Sequence, residues 1–215
     1  MCEMHEMCET GKTAKMGKIT AVILAAGFGS RMGKNKLALP WQGEKTVLEA
    51  TIAKITASTI KQGVVVLGYE SAFWLQRLAL PEGWQTVVNP DFALGQSTSL
   101  KAGLQAVAKD TDAILFCLGD QPLIQTETVQ ALLQAWQEKK PAILLPTYKG
   151  RRGNPVLFGA QTFSGMKELT GDAGARSLFA VYEPLEFPVQ DRGIVVDLDT
   201  IEVYEAERRD LGCSF

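Results

Sequence analysis

The sequence predicts an α/β protein of three layers, with helices on both faces of a mostly parallel sheet. Two patterns carry that expectation. Short apolar runs of strand length recur at residues 20–24, 64–67 and 113–118, and runs apolar throughout suit strands buried on both faces. Between them lie stretches whose apolar residues repeat at three and four, the period of a helix packed on one side. Strands alternating with such stretches form crossover units, which make neighbouring strands parallel.

The elements follow in order. Residues 20–24 form the first strand. Val47, Leu48, Thr51, Ile52 and Ile55 then repeat at helical spacing, and a second strand at 64–67 is ended by Gly68. A short strand at 85–88 runs into Asn89-Pro90. Leu100, Leu104 and Val107 mark the inner face of a helix that Ser97 or Ser99 would cap. The strongly apolar strand at 113–118 stops at Gly119-Asp120. Thr126 reads as the cap of the next helix, with Glu127 in its first turn and Val129, Leu132, Leu133 and Trp136 facing inward. Another strand covers 142–145. Beyond Pro146 the pattern loosens into short strands at 156–158 and 194–196 and short helices. No Pro/Gly/Ser linker separates the halves, and no repeat is present. The reading is one domain over residues 18–215, preceded by a flexible tail at 1–17.

Composition narrows the classes. A chain of 215 residues, 46% apolar, buries one sizeable core. The net charge of −2, with cations scattered, argues against a nucleic-acid surface, and no apolar run approaches membrane-spanning length. Four dispersed cysteines are too few for a disulfide framework, so a reduced, cytoplasmic protein is expected. Cys2, His5 and Cys8 have a spacing that suits a metal, but with no fourth ligand the plain tail is the better reading. His5 is the only histidine, which removes any mechanism needing a histidine base in the core.

The most informative stretch is the loop after the first strand, Leu24-Ala25-Ala26-Gly27-Phe28-Gly29-Ser30-Arg31-Met32-Gly33-Lys34-Asn35-Lys36. Three glycines allow the backbone to approach a ligand with its N–H groups turned inward, and Arg31 and Lys36 supply positive charge. That is a phosphate cradle. It is not a P-loop, because Gly33-Lys34 is followed by Asn35 rather than Ser or Thr. Nor is it a dinucleotide fingerprint, since the spacing is Gly27-x-Gly29-x-x-x-Gly33 and the next strand lies far downstream.

Asp120, at the end of an apolar strand, is placed to hold a hard divalent cation against phosphate oxygens; a turn aspartate is the alternative. Asp197 and Asp199 follow Ile194-Val195-Val196, so strand alternation would put both carboxylates on one side. The segment from Lys149 to Pro155 and the pair Asp172/Arg176 read either as surface turns or as an anion site for a second substrate. Without histidine, triad or cysteine pair in the core, the protein itself makes no nucleophile. An enzyme that handles phosphates needs none where the incoming group is already nucleophilic, since it then only aligns the reactants and neutralises the leaving group.

The loop resembles the signature of the molybdenum cofactor nucleotidyltransferases. Collinear motifs extend the likeness over residues 18–205: Asn89-Pro90 with Gly95-Gln96-Ser97 and Ser99-Leu100, Gly119-Asp120-Gln121-Pro122, Arg152-Gly153-Asn154-Pro155, Gly171-Asp172-x-Gly174-Ala175-Arg176 and Asp197-x-Asp199. The resemblance implies a Rossmann-like nucleotidyltransferase fold. It also implies transfer of CMP from CTP to the terminal phosphate of molybdopterin with release of pyrophosphate, since Ala25-Ala26-Gly27 is similar to the cytidylyl branch.

Carried over residue by residue, Arg31, Lys36 and Asp120 are catalytic. The nucleotide set is Leu24, Ala25, Ala26, Gly27, Gly29, Ser30, Arg31, Lys36, Asn89, Gly95, Ser97 and Ser99. Arg152, Asn154, Asp172 and Arg176 face the acceptor, and Asp120, Asp197 and Asp199 hold Mg²⁺, with Mn²⁺ as the alternative. Implied partners are the nucleoside triphosphate, a molybdopterin-type acceptor, and a molybdoenzyme or its chaperone. Competing readings are a guanylyl or sugar/alcohol-phosphate nucleotidyltransferase, an NAD(P)-dependent oxidoreductase and a non-catalytic carrier of the cofactor.

Overall fold

The computed structural model describes residues 16–27 and 35–211. β1 (Ile19–Ala25) is followed by a small antiparallel hairpin of β2 (Pro40–Gln42) and β3 (Lys45–Thr46), then α1 (Val47–Thr56). β4 (Gln62–Leu67), α2 (Ser71–Arg77), β5 (Trp84–Val88), α3 (Gln96–Ala106), β6 (Ala113–Leu118) and α4 (Thr126–Lys139) continue the alternation. The remainder holds β7 (Ile143–Tyr148), β8 (Arg151–Arg152), β9 (Val156–Gly159), α5 (Phe163–Lys167), β10 (Leu185–Pro188) and α6 (Ile201–Asp210). The strands run β10-β7-β9-β6-β1-β4-β5 across one sheet, and β8 pairs with β7. β9 is antiparallel to both its neighbours, whereas β10–β7, β6–β1, β1–β4 and β4–β5 are parallel.

Alternation along the central strands divides the core in two. Ala21, Ile23 and Ala25 of β1, Val65 and Leu67 of β4, and Leu115 and Cys117 of β6 face one layer, built by α1, α4, Trp74 of α2 and Tyr204 of α6. Val22, Val64, Val66, Ile114 and Phe116 face the other, built by Leu100 and Leu104 of α3, Met166 of α5 and Leu178. A strand buried on both faces has no polar side to show, and this is why these runs read as continuously apolar. Cys117 is fully enclosed, and burial pushes its thiol pKa up, so it stays an inert hydrophobe.

The winding fixes where a ligand goes. The chain runs from β1 outward to β4 and β5, then returns to place β6 on the other side of β1. Ligands of open α/β sheets bind at the carboxyl ends of the strands flanking such a reversal, here the ends of β1 and β6.

Three local readings differ from the sequence expectation. β7 continues through Pro146 to Tyr148; a proline lacks only its N–H, and its carbonyl is used by the Gly153 N–H at 2.9 Å. The expected strand at 194–196 is largely a 3-10 helix, Arg192–Val195, because the Asp191 carboxylate accepts from the N–H of Gly193 at 2.8 Å and bends the chain, burying Ile194 through a turn. Thr126 does not cap α4. Its hydroxyl donates to the Lys54 carbonyl at 3.0 Å, and Asp191 accepts the Gln125 N–H at 2.9 Å. Cys2, His5 and Cys8 lie outside the described residues.

α1 starts with a reciprocal cap. Thr46 accepts from the Glu49 N–H at 3.3 Å, Glu49 accepts from the Thr46 N–H at 2.8 Å, and Arg77 donates to Glu49 at 2.9 Å. Burial tends to raise the Glu49 pKa, but the Thr46 N–H and Arg77 outweigh it and the net shift is downward. A lowered folded pKa gives stability that is present at neutral pH and lost as pH falls through that pKa. Thr46→Ala is therefore expected to cost about 0.5–2 kcal/mol by denaturant melts. The stability gap between wild type and Glu49→Gln is expected at pH 7 and should close in acid; a gap that persists at low pH would contradict the charge-based account.

Candidate active site

The carboxyl ends of the strands are laced together beyond the sheet. The Gly119 N–H donates to the Leu24 carbonyl at 3.0 Å, Tyr69 N–H to Ala26 at 3.3 Å, and Asn89 N–H to Leu67 at 2.7 Å. The Thr51 hydroxyl of α1 lies 3.1 Å from the Gly119 carbonyl. Around these ends opens a cleft of about 960 Å³ whose wall includes Ala26, Gly27, Lys36, Tyr69, Ser99 and Asp120, a size that suits a nucleotide. Leu24, Ala25 and Gly95 also line it. Gly29, Ser30 and Arg31 lie outside the described residues.

Lys36 begins a 3-10 turn, Lys36–Ala38, capped by the Asn35 side chain, whose amide is in turn held by Glu70 at 2.7 Å. From there its ammonium donates to Asp120 Oδ2 at 2.5 Å and to Asp199 Oδ1 at 2.7 Å. Burial works to lower the Lys36 pKa, but the charges of Asp120 and Asp199 outweigh it and the net shift is upward, so the lysine stays cationic.

The backbone of the 197–199 segment is fixed by the Leu198 N–H donating to the Asp120 carbonyl at 3.3 Å and the Asp199 N–H to Asp197 at 2.9 Å. The Asp197 pKa is raised, first by desolvation and then by the negative charge of Asp120. Lys36 thus links the Asp120 and Asp199 carboxylates, while Asp197 lines a separate pocket with Tyr148, Arg151 and Arg192. The sequence groups Asp197 with Asp199 by strand alternation; the chain reaches them through a 3-10 turn rather than a strand, Asp199 meets Lys36, and Asp197 accepts from the Gln121 amide.

Four other predicted positions behave differently from one another. Asn89 is buried, and its amide is spent on Thr98 at 2.8 Å and Ser99 at 3.0 Å, while its carbonyl accepts the Asp91 N–H. Ser97 and Ser99 do not cap α3: Gly95 holds the cap position, and both serines are buried inside the helix. Gly95 has φ 116° and approaches Gly171 so closely that a Cβ would lie 2.3 Å from its carbonyl carbon. The Gly171 carbonyl accepts the Ser97 N–H at 3.1 Å. This contact joins two motifs that lie far apart in sequence.

Beside the cleft, sharing Leu24, Gln96, Leu118 and Asp172 with it, is a second pocket of about 350 Å³. Phe116, Phe158 and Phe179 give it an aromatic wall, and Asn154, Asp172 and Arg176 contribute polar groups. Arg152 is not among its lining residues: it pairs with Glu186 at 2.7 Å and lies over the Phe179 ring. Sequence reading missed the three phenylalanines, Tyr69, Gln96 and Gln121. Tyr69 stood just past a strand end, as Asp120 does, which was the available signal. Gln121 sat within a quoted motif without a role, yet its amide donates to Asp197 at 2.6 Å.

Residues 21–186 match the MobA-like NTP transferase domain, and the chain belongs to that family of nucleotidyltransferases. Among curated relatives, it is 28% identical to molybdenum cofactor cytidylyltransferase of Escherichia coli, over 86% of this chain and 93% of the relative. It is 31% identical to purine catabolism protein PucB of Bacillus subtilis (89% and 96%) and 32% identical to nicotine blue oxidoreductase of Paenarthrobacter nicotinovorans (86% and 93%). The structure of Rv0371c from Mycobacterium tuberculosis superposes with a TM-score of 0.79 at 28% identity, covering 90% of this chain and 99% of that one. A structure of Rv0371c in complex with manganese gives a TM-score of 0.74 at 25% identity, with the same coverage of both chains. Among the described residues, no helix is long and apolar enough to cross a membrane.

Gly95→Ala tests the junction of the two motifs. The left-handed φ and the approach to Gly171 both oppose a side chain, so a loss of about 1–3 kcal/mol is expected in thermal or denaturant melts. An unchanged midpoint would show that the contact with Gly171 yields without cost.

Proposed function

We propose that the chain transfers CMP from CTP to the terminal phosphate of a molybdopterin-type acceptor and releases pyrophosphate. The observation that carries this reading is the meeting of Lys36 and Asp120 in the wall of a cleft that Ala26 and Gly27 also line, with an aromatic pocket adjoining it. The Ala25-Ala26-Gly27 triplet and the likeness to a cytidylyltransferase support the pyrimidine assignment. The acceptor reading is supported by a pocket that combines stacked rings with Asn154 and Arg176, groups suited to a planar ring system and an anion.

An acceptor phosphate oxygen forms the new bond to the α-phosphorus of the nucleotide while the bond to the bridging oxygen of pyrophosphate breaks. The protein holds the two in line and excludes competing water. Lys36, already cationic at the cleft floor, neutralises charge as it accumulates on the leaving pyrophosphate. The donor set fits a hard divalent cation: all oxygen, with Asp120 buried and Asp199 tied to it through Lys36. Among the described residues no group of three or more His, Cys, Asp or Glu is arranged to hold a metal ion; the metal reading rests on one or two carboxylates, with phosphate and water completing the shell of Mg²⁺. When bound, Mg²⁺ or Mn²⁺ would act as a Lewis acid on the phosphates.

A second reading, an NAD(P)-dependent oxidoreductase, is favoured by one observation, the likeness to a protein named nicotine blue oxidoreductase. A screen of CTP, GTP, ATP and UTP for pyrophosphate release, with and without molybdopterin, separates the two. Release confined to CTP plus molybdopterin is expected; no release, with spectral changes on adding NADPH, would favour the oxidoreductase.

Two variants sharpen the test. Asp120→Asn is expected to nearly abolish pyrophosphate release with an unchanged melting temperature, and near-normal release would remove Asp120 from the site. Ala26→Gly should lower the CTP-over-GTP ratio of kcat/KM, because the Ala26 methyl is buried against the Gly68 turn at the cleft wall and glycine frees room for a purine. One methyl discriminates by about 1–3 kcal/mol at most, so the shift should be modest. Competition between the two nucleotides measures it, and an unchanged ratio would refute the steric account.

A further inference from the structure

The aromatic pocket beside the cleft holds polar groups that the fold itself does not use. Asn154, Asp172 and Arg176 contribute to its wall, yet none of their side chains has a hydrogen-bond or ion-pair partner among the described residues. Asp172 and Arg176 stand four apart with opposite charges and still do not pair. Arg152, by contrast, is spent on Glu186. A few unpaired polar groups converging on an apolar cavity are the mark of a small-molecule site, and a volume of about 350 Å³ is at the small end for one.

Asp172 is also held from behind. The Ala173 N–H donates to the Thr170 carbonyl at 3.1 Å and closes a tight turn around it, and the Gly171 carbonyl accepts the Ser97 N–H at 3.1 Å. A Cβ on Gly95 would lie 2.7 Å from the Asp172 nitrogen, so the start of α3 supports that backbone directly. A group fixed in this way loses little freedom when a ligand arrives.

What the carboxylate takes follows from its charge. It repels a phosphate, which falls to Arg176, whose guanidinium matches phosphate geometry. A carboxylate only accepts, through two oxygens, and so suits two adjacent N–H groups on one edge of a ligand. Against phenylalanine faces, that ligand is a flat heterocycle. A ring N–H flanked by a 2-amino and a 4-oxo group offers such an edge, and pterin and guanine both carry it.

We propose that Asp172 sets the specificity of this pocket by accepting the paired N–H groups of a 2-amino-4-oxo heterocycle that stacks against Phe116, Phe158 and Phe179. This rests on the acceptor half of the function proposed above and names the group that reads the acceptor's ring.

The test is binding of free rings to the full chain without nucleoside triphosphate, read by isothermal titration calorimetry, with quenching of pterin fluorescence as a second signal. Pterin is compared with pteridin-4-one and guanosine with inosine, each second compound keeping the oxo group but lacking the 2-amino group. The amino compound should bind about tenfold tighter, as expected for one hydrogen bond to a charged group. Asp172→Asn should remove most of that preference at an unchanged melting temperature, whereas Phe179→Leu should weaken both members of a pair alike. Pterin binding tighter than guanosine marks the acceptor as the source of the edge. Guanosine binding tighter keeps the role of Asp172 but moves the pocket to a guanine nucleotide. Absence of ring binding, no preference in the wild type, or a preference that Asp172→Asn leaves intact would overturn the proposal, even if CTP and molybdopterin release pyrophosphate. A preference that holds while no nucleotide releases pyrophosphate would sink the transfer reading alone.

Discussion

The ammonium of Lys36, set between Asp120 and Asp199 at 2.5 and 2.7 Å, is the interaction on which the site depends. It ties three remote parts of the chain: the exit of the first loop, the end of β6 and the segment ahead of α6. Asp120 is largely buried, and the nearby carboxylates would repel one another without a cation. The lysine is anchored from behind, because Asn35 caps its turn and Glu70 holds Asn35. Glu70 itself has a left-handed backbone, φ 53°, a conformation that costs energy for a residue with a Cβ and is kept only where the surroundings enforce it.

The sheet supplies the other constraint. β1 and β6 are parallel neighbours over six paired residues, so their carboxyl ends cannot avoid each other. Ala26 and Gly27, which leave β1, and the aspartate that follows β6 therefore share one cleft. The antiparallel β9 then presents Val156 and Phe158 toward the α3 side, where Phe158 meets Phe116 edge-on and Phe179 face-on. A parallel strand in that place would require a long crossover connection, whereas β9 follows β7 after a short hairpin. The aromatic pocket is therefore a product of topology as much as of residue type.

Legibility in the sequence followed burial. Strands enclosed on both faces, such as Ala113–Leu118, are apolar at every position and were plain to read, as were α1 and α4 with their single apolar stripes. The half after Pro146 was harder because turns there are set by distant side chains. Asp191 shapes the 3-10 turn that replaced an expected strand, and nothing local marks it as the acceptor of two backbone N–H groups. The serines of α3 misled for a related reason: Gly95 is forced into the cap position by its contact with Gly171, which no local pattern announces. The loop, Asp120 and Asp197/Asp199 read as separate motifs in the sequence, and of these the structure joins Lys36, Asp120 and Asp199. Gln121 and the phenylalanines do not stand out, because a buried amide and a core ring look the same in sequence whether or not a site adjoins them.

The central claim is that the first loop, Asp120 and the 197–199 segment make one site for a nucleotide and a divalent cation. Diffraction from crystals soaked with CTP and Mn²⁺, recorded at the manganese absorption edge, tests it most directly. The account predicts an anomalous peak within coordination distance of Asp120, with the triphosphate lying along the first loop and reaching Lys36. A manganese peak elsewhere, or a nucleotide bound with the ion pairs of Lys36 to Asp120 and Asp199 undisturbed and no phosphate near them, would contradict it.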